Sequence, residues 1–160
     1  MKICFFLLLI ISCILAGCAP TPVGPPLVSQ NGIEIYQAVV RLPGGGTSGT
    51  KSDTATLAGY MLIKNTGPVN DSLVGVQANF AGITMFHEST VNANGVASMN
   101  MLTAVDIPAG QTVEFKPGGL HVMFVGLKQD LKAGDKVTII LQLQNAGAIN
   151  VPAQVTETDS

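Results

Sequence analysis

Alternation of apolar and polar positions with a period of two runs through most of the chain. It is clearest in VTIILQLQ, where Val137, Ile139, Leu141 and Leu143 share one face while Thr138, Gln142 and Gln144 lie mostly opposite. That is the signature of a half-buried antiparallel strand. Similar short runs predict strands over Ile33 to Arg41, Ala55 to Lys64, Ser72 to Phe80, Ile83 to Val91, Val96 to Leu102, Thr112 to Phe115, His121 to Leu127, Lys136 to Leu143 and Ile149 to Val155. Pro108-Ala109-Gly110, Lys116-Pro117-Gly118-Gly119 and Ala133-Gly134-Asp135 read as turns between them, since proline presets φ and glycine accepts positive φ. No amphipathic helical stretch of convincing length interrupts the series. Many short strands with such turns predict an all-β sandwich or barrel.

The first residues stand apart from this pattern. MKICFFLLLIISCILAGC carries one positive charge at Lys2, then an apolar run from Ile3 to Ile11, then small residues. It reads as an export leader and is short for a membrane span, which needs about 20 apolar residues. Leu15-Ala16-Gly17-Cys18 looks like a bacterial lipobox, so residues 1–17 are expected to be removed and Cys18 to carry lipid. Residues 18–30, with four prolines and no charge, read as a tether; residues 31–155 as one domain; residues 156–160 as a polar tail. About 125 residues suit one hydrophobic core and are too few for two ordinary domains. The expected location is a membrane surface facing the periplasm. Ala19 lacks the aspartate that often retains lipoproteins at the inner membrane, which favours the outer one.

Composition narrows the chemistry. Cys4 and Cys13 lie in the leader and Cys18 is the lipidation site, so the mature domain has neither a free thiol nor a disulfide. Loss of Lys2 leaves seven basic against ten acidic residues, a formal charge of −3, and no basic patch suited to nucleic acid. GGGTSGTKS, from Gly44 to Ser52, is not a phosphate-binding loop: Thr50 separates Gly49 from Lys51 and no helix pattern follows. It reads as a mobile linker between the first two strands.

What remains is a small set of soft donors. The sequence has two histidines, His87 in TMFHEST and His121 in GGLHVMF. Eleven residues separate His87 from Met99, twenty-one separate Met99 from His121, and one separates His121 from Met123. On a strand His121 and Met123 point the same way, and antiparallel pairing of three strands can bring all four side chains together. A lone His-x-Met on an apolar strand is more often a hydrogen-bonded core histidine beside a packing methionine; only the joint spacing alters that balance. Thioether with imidazole favours Cu(I). Zinc usually recruits a thiolate or carboxylate, hard cations want clustered oxygens, and a blue-copper centre needs a cysteine thiolate.

The spacing and its setting resemble the periplasmic copper chaperones called PCu(A)C, whose pattern is H(M)X10MX21HXM. Met99, His121 and Met123 match the X21 and HXM elements, and His87 takes the first position. Phe86-His87-Glu88, Ile107-Pro108-Ala109-Gly110, Lys116-Pro117-Gly118-Gly119 and Leu131-Lys132-Ala133-Gly134-Asp135 agree in order and distance as well. One departure is the interval from His87 to Met99, one residue longer than the pattern. The turn-prone segment Val91-Asn92-Ala93-Asn94-Gly95 can absorb it at a hairpin tip; failing that, Met101 becomes a substitute ligand. The loop from Gly44 to Asp53 is also longer than is usual for this family.

The resemblance implies a cupredoxin-like Greek-key β-sandwich that holds Cu(I), with Cu(II) left open, through His87, Met99, His121 and Met123, with Met85 and Met101 in reserve. It implies a non-enzymatic chaperone exchanging copper with protein partners outside the inner membrane, for assembly such as that of the binuclear copper centre of cytochrome oxidase. Two other readings compete: a copper scavenger or buffer, and a metal-free structural lipoprotein of the same fold. A hydrolase is the weakest, since no activated serine, paired carboxylates or metal-water motif surrounds either histidine.

Overall fold

The structure, a computed structural model, describes residues 20–44, 48–49 and 51–157. The leader and the lipidation site therefore lie outside the described residues. Among those described every regular element is a strand: β1 (Val28–Gln30), β2 (Ile33–Arg41), β3 (Ser48–Gly49), β4 (Ser52–Asn65), β5 (Asp71–Ala78), β6 (Ala81–Val91), β7 (Ala97–Leu102), β8 (Val105–Ile107), β9 (Thr112–Phe115), β10 (Leu120–Leu127), β11 (Leu131–Lys132), β12 (Lys136–Leu143) and β13 (Gly147–Thr156). The fold is all-β, a cupredoxin-like β-sandwich.

Hydrogen bonding follows the path β7-β6-β10-β9-β4-β2-β13-β12-β5-β8, with β1 beside β2, an additional pairing of β10 with β4, and a small second sheet of β11 and β3. This long sheet folds over on itself, so that the Thr84 hydroxyl of β6 donates to the Val76 carbonyl of β5 although the two strands are far apart along the path. Alternation supplies the filling. Ile35, Ile63, Phe80, Phe124, Ile139 and Val151 are wholly buried, each on the inward face of a different strand or loop. Phe80 and Phe124 meet with ring centroids 4.9 Å apart. Opposite them Gly59 of β4 has no side chain because a Cβ there would stand 2.7 Å from Phe124 Cε2. The strand carrying His121 is thereby drawn tight against β4.

Nine strands lie where the alternation predicts them, with ends shifted by a few residues. Four additions were not expected: β1, β3, β8 and β11. The tether reading of residues 18–30 gives way at its end, where Val28–Gln30 pairs with Ile33–Ile35. The reversal is Asn31-Gly32, both at positive φ (50° and 81°), as a two-residue hairpin of primed type requires. The linker read over Gly44 to Ser52 includes β3, which pairs with β11. A bulge at Gln37 (φ 52°) shifts the register between Tyr36 and Val39 of β2, so that Arg41 comes opposite Ala58 of β4.

Candidate metal centre

Three adjacent strands, β7, β6 and β10, carry both histidines and four of the six methionines. Register decides which face they share. Between β6 and β10, His87 lies opposite His121 and Met85 opposite Met123. Between β6 and β7, His87 lies opposite Met101 and Ser89 opposite Met99. Directly opposed residues project to the same side of a sheet, as do residues two apart on one strand. Met85, His87, Met99, Met101, His121 and Met123 therefore stand on a single face.

The eleven-residue interval leaves this intact because the turn after β6 spans residues 92–96. Asn92 N–H donates to the Val96 carbonyl at 3.0 Å, and Asn92 Oδ1 accepts from the N–H groups of Asn94 and Val96, both at 3.0 Å. Gly95 (φ 78°) completes the reversal. Antiparallel ladders alternate bonded and non-bonded rows, so closure at the 92/96 row makes the even-numbered β6 residues the bonded ones. The rows Met101/His87 and Met99/Ser89 are then the close, non-bonded kind, with Cα atoms about 4.5 Å apart. Met99 lies on the diagonal from His87, a span of roughly 7–8 Å that long side chains can cross.

The two imidazoles have centroids 5.8 Å apart and planes inclined by 36°. Two rings bound to one ion, each through a nitrogen at about 2 Å, have centroids roughly 5–6.5 Å apart, so the observed spacing fits a shared ion. His121 is 6% exposed, and its Nδ1 bonds the Gly119 carbonyl at 3.0 Å. A carbonyl only accepts, so Nδ1 carries the proton and Nε2 the free lone pair. The turn at Lys116-Pro117-Gly118-Gly119 presents that carbonyl: Gly119 N–H donates to the Lys116 carbonyl at 3.1 Å and Gly118 has φ 73°. His87 is half-buried, and its buried Nδ1 has no partner. Burial, and then the neighbouring His121, push the His87 imidazole below its ordinary value of 6.5.

His121 is buried and hydrogen-bonded as a core histidine would be, but His87, with its buried Nδ1 unpartnered, is not. The other buried polar side chains among the described residues, Asn65 and Asp71, make several bonds each. Asn65 Nδ2 donates to the carbonyls of Val69 and Ile107 while its Oδ1 accepts from Gly67; Asp71 accepts from the N–H groups of Ser72, Asn145 and Ala146. Against these the histidine pair has one bond and one orphan. An unpaired buried polar atom costs about 1–3 kcal/mol.

Met99, His121 and Met123 line a depression of about 380 Å³ together with Arg41 and Tyr60. Arg41 lies over the Tyr60 ring, 5.3 Å from its centroid. Burial raises the Tyr60 hydroxyl above its usual pKa, with Arg41 pulling the other way. No carboxylate lines the depression, and among the described residues no three His, Cys, Asp or Glu side chains come together. An ion held here must take thioethers. Met99 and Met101 are 56% and 66% exposed, Met85 and Met123 half-buried. Of the four donors on β6 and β7 only Met99 lines the depression; Met85, His87 and Met101 do not, and His87 is tied to the site by its ring 5.8 Å from that of His121. Sequence reasoning did not reach Ser89, Arg41 or Tyr60, and nothing in their spacing singles them out.

Comparison with known proteins decides the family. Residues 33–155 match the family described as "Putative lipoprotein LpqE-like". The chain belongs to the LpqE-like family. A relative from Leifsonia xyli subsp. xyli, "Putative lipoprotein Lxx21020", is 31% identical over 147 residues, 89% of this chain and 82% of that one. The fold of this LpqE-like chain is that of the "Copper-bound PCuAC domain from PmoF2", with a TM-score of 0.64 and 24% identity over 82% of this chain and 97% of that one. "CuI-DR1885 from Deinococcus radiodurans" is 32% identical, with a TM-score of 0.53 over 72% of this chain and 79% of that one.

Proposed function

We propose that this LpqE-like protein is a Cu(I) carrier of the PCu(A)C type, anchored by lipid at Cys18 and facing the space outside the inner membrane. The observation that carries the reading is the single face on β7, β6 and β10 with its histidines 5.8 Å apart and thioethers on both sides. His87, His121 and Met123 would ligate with Met99 completing the set: the 5.8 Å between the two rings supports His87, and the depression that Met99 shares with His121 and Met123 supports Met99 over Met101. The relatives' lipoprotein names support the anchor, and the Cu(I)-bound relative from Deinococcus radiodurans supports the cargo. Soft neutral donors suit a soft monovalent ion and repel none of it with charge mismatch.

Exposure accounts for carriage as opposed to storage. A partner's thioether or thiolate can displace Met99 first, because that side chain stands at the surface, and the buried His121 last. Delivery to cuproprotein assembly, cytochrome oxidase included, is the role this exchangeability suits best.

Titration of the mature lipoprotein with Cu(I) against a competing chelator tests the proposal. One equivalent per chain is expected, with X-ray absorption counting two nitrogen and two sulfur neighbours. Uptake well short of one equivalent would overturn it. Loss of oxidase activity at normal total copper in a deletion strain separates delivery from buffering.

A further inference from the structure

The path through the main sheet ends in two strands, β7 and β8, and they are finished differently. β8 is three residues long, carries Asp106 and runs into Pro108. Short length, a charge and a proline are the devices that keep an edge from pairing with another chain. β7 has none of them. It is six residues of ASMNML, five of them exposed, and residues 89–105 contain no formal charge. Val91, Val96, Met99 and Met101 add exposed apolar surface to the same arm.

The alternation of rows also says which backbone groups face outward. Since the even-numbered residues of β7 bond to β6, the N–H and carbonyl groups of Ala97, Met99 and Met101 point away from the sheet. The two residues that bring thioethers to the copper face are thus the ones whose main chain is free to accept a further strand.

We propose that this edge pairs antiparallel with β7 of a second copy of the chain, about a twofold axis at Met99. That register sets Ala97 opposite Met101 of the second copy and Met99 opposite Met99 of the second copy, using all three outward residues on each side. Axes at Ser98 or Asn100 use fewer. An uncharged strand is its own complement, because two copies meet without like-charge repulsion, and an isologous contact closes at the dimer. Both copper faces then lie on one side of a continuous sheet, with the two Met99 thioethers adjacent where they meet. That these thioethers pass Cu(I) from one copy to the other rests on the copper reading above; the pairing itself rests on the edge.

Co-expression in the membrane of two differently tagged full-length chains, one with Ser98→Cys and the other with Asn100→Cys, tests the pairing. In the proposed register Ser98 faces Asn100 of the second copy in a close row, about 4.5 Å between Cα atoms, within the range a disulfide bridges. A reducible species of twice the chain mass carrying both tags is expected, severalfold more abundant than for Ser98→Cys with Asp106→Cys at the other edge. Equal yields from the two combinations, or cross-linking chiefly to a protein of another mass, would overturn it. Ala97→Pro in both chains, which removes an outward N–H and adds no charge to the copper face, is expected to lower the doubly tagged species severalfold while Cu(I) uptake per chain is unchanged; persistence of that species at full yield counts against the pairing. A chain that cross-links in this register but takes up no Cu(I) upholds the pairing and overturns the copper reading.

Discussion

Two hairpins of the same sheet use alternation for different ends. β12 and β13 pair over eight rows, and every second residue on each, from Val137 to Leu143 and from Ile149 to Val155, is buried. β6 and β7 pair over six rows, yet only the row of Phe86 and Leu102 is tied to the core. Beyond it the same period of two sets out one imidazole, His87, and the thioethers of Met99 and Met101 where the other hairpin sets isoleucine and valine. Burial explains the first hairpin completely. It does not explain why apolar, oxidisable methionines stand exposed on the second; the proposed copper ligation would.

The sharpest way to break this contrast is to damage the buried hairpin. Ile139→Ala is expected to cost about 2–5 kcal/mol of stability in urea unfolding, since it leaves a cavity among wholly buried neighbours. Copper taken up per folded chain should not change. The converse substitution, His87→Ala, should lower Cu(I) affinity roughly a hundredfold in chelator competition, as much as losing even a strong supporting partner costs a metal site. Its effect on unfolding should be small, because the ring's Nδ1 makes no hydrogen bond that could be lost.

Within the metal face the contrast can be sharpened. Met99→Ala is expected to weaken Cu(I) binding about tenfold, or about 1.4 kcal/mol, and Met101→Ala by less than half that energy. A reversed order would make Met101 the ligand and Met99 the bystander. The smallest effect is acid-dependent. In the apo protein His87 should titrate below 6.5, followed by the imidazole proton signals in NMR. Because the folded value lies under the unfolded one, the group's contribution to stability is complete above about pH 6.5. It falls as pH drops through that value and levels off below the folded pKa.

Much of this was legible in the chain. Val137, Ile139, Leu141 and Leu143 announce their strand, and Pro-Gly and Ala-Gly pairs announce the turns. The spacing of His121 and Met123 shows that they share a face, and the motif adds His87 and Met99. β1 was overlooked although Asn31-Gly32 carries a strong hairpin signal, because the prolines before it suggested a tether. β8, at three residues, is too short for any period to register. Which methionine meets which histidine was out of reach for another reason: it depends on register between strands, and register is fixed by a turn whose closure on Asn92 depends on side-chain geometry. Arg41 comes to the depression on a strand whose register is shifted by a bulge at Gln37, which spacing does not reveal, and Tyr60 joins it from β4.

All six donors on the face are uncharged, and that has an electrostatic outcome. A monovalent ion seated there would not be cancelled by its ligands, so an occupied molecule would differ from an empty one by a full positive unit beside residues 89–105, which carry no formal charge, and would add to the charge of Arg41 in the wall of the depression. On the proposed reading, occupancy would thereby be written on the surface as a field, legible to an acidic receiver before contact and erased once the ion had crossed.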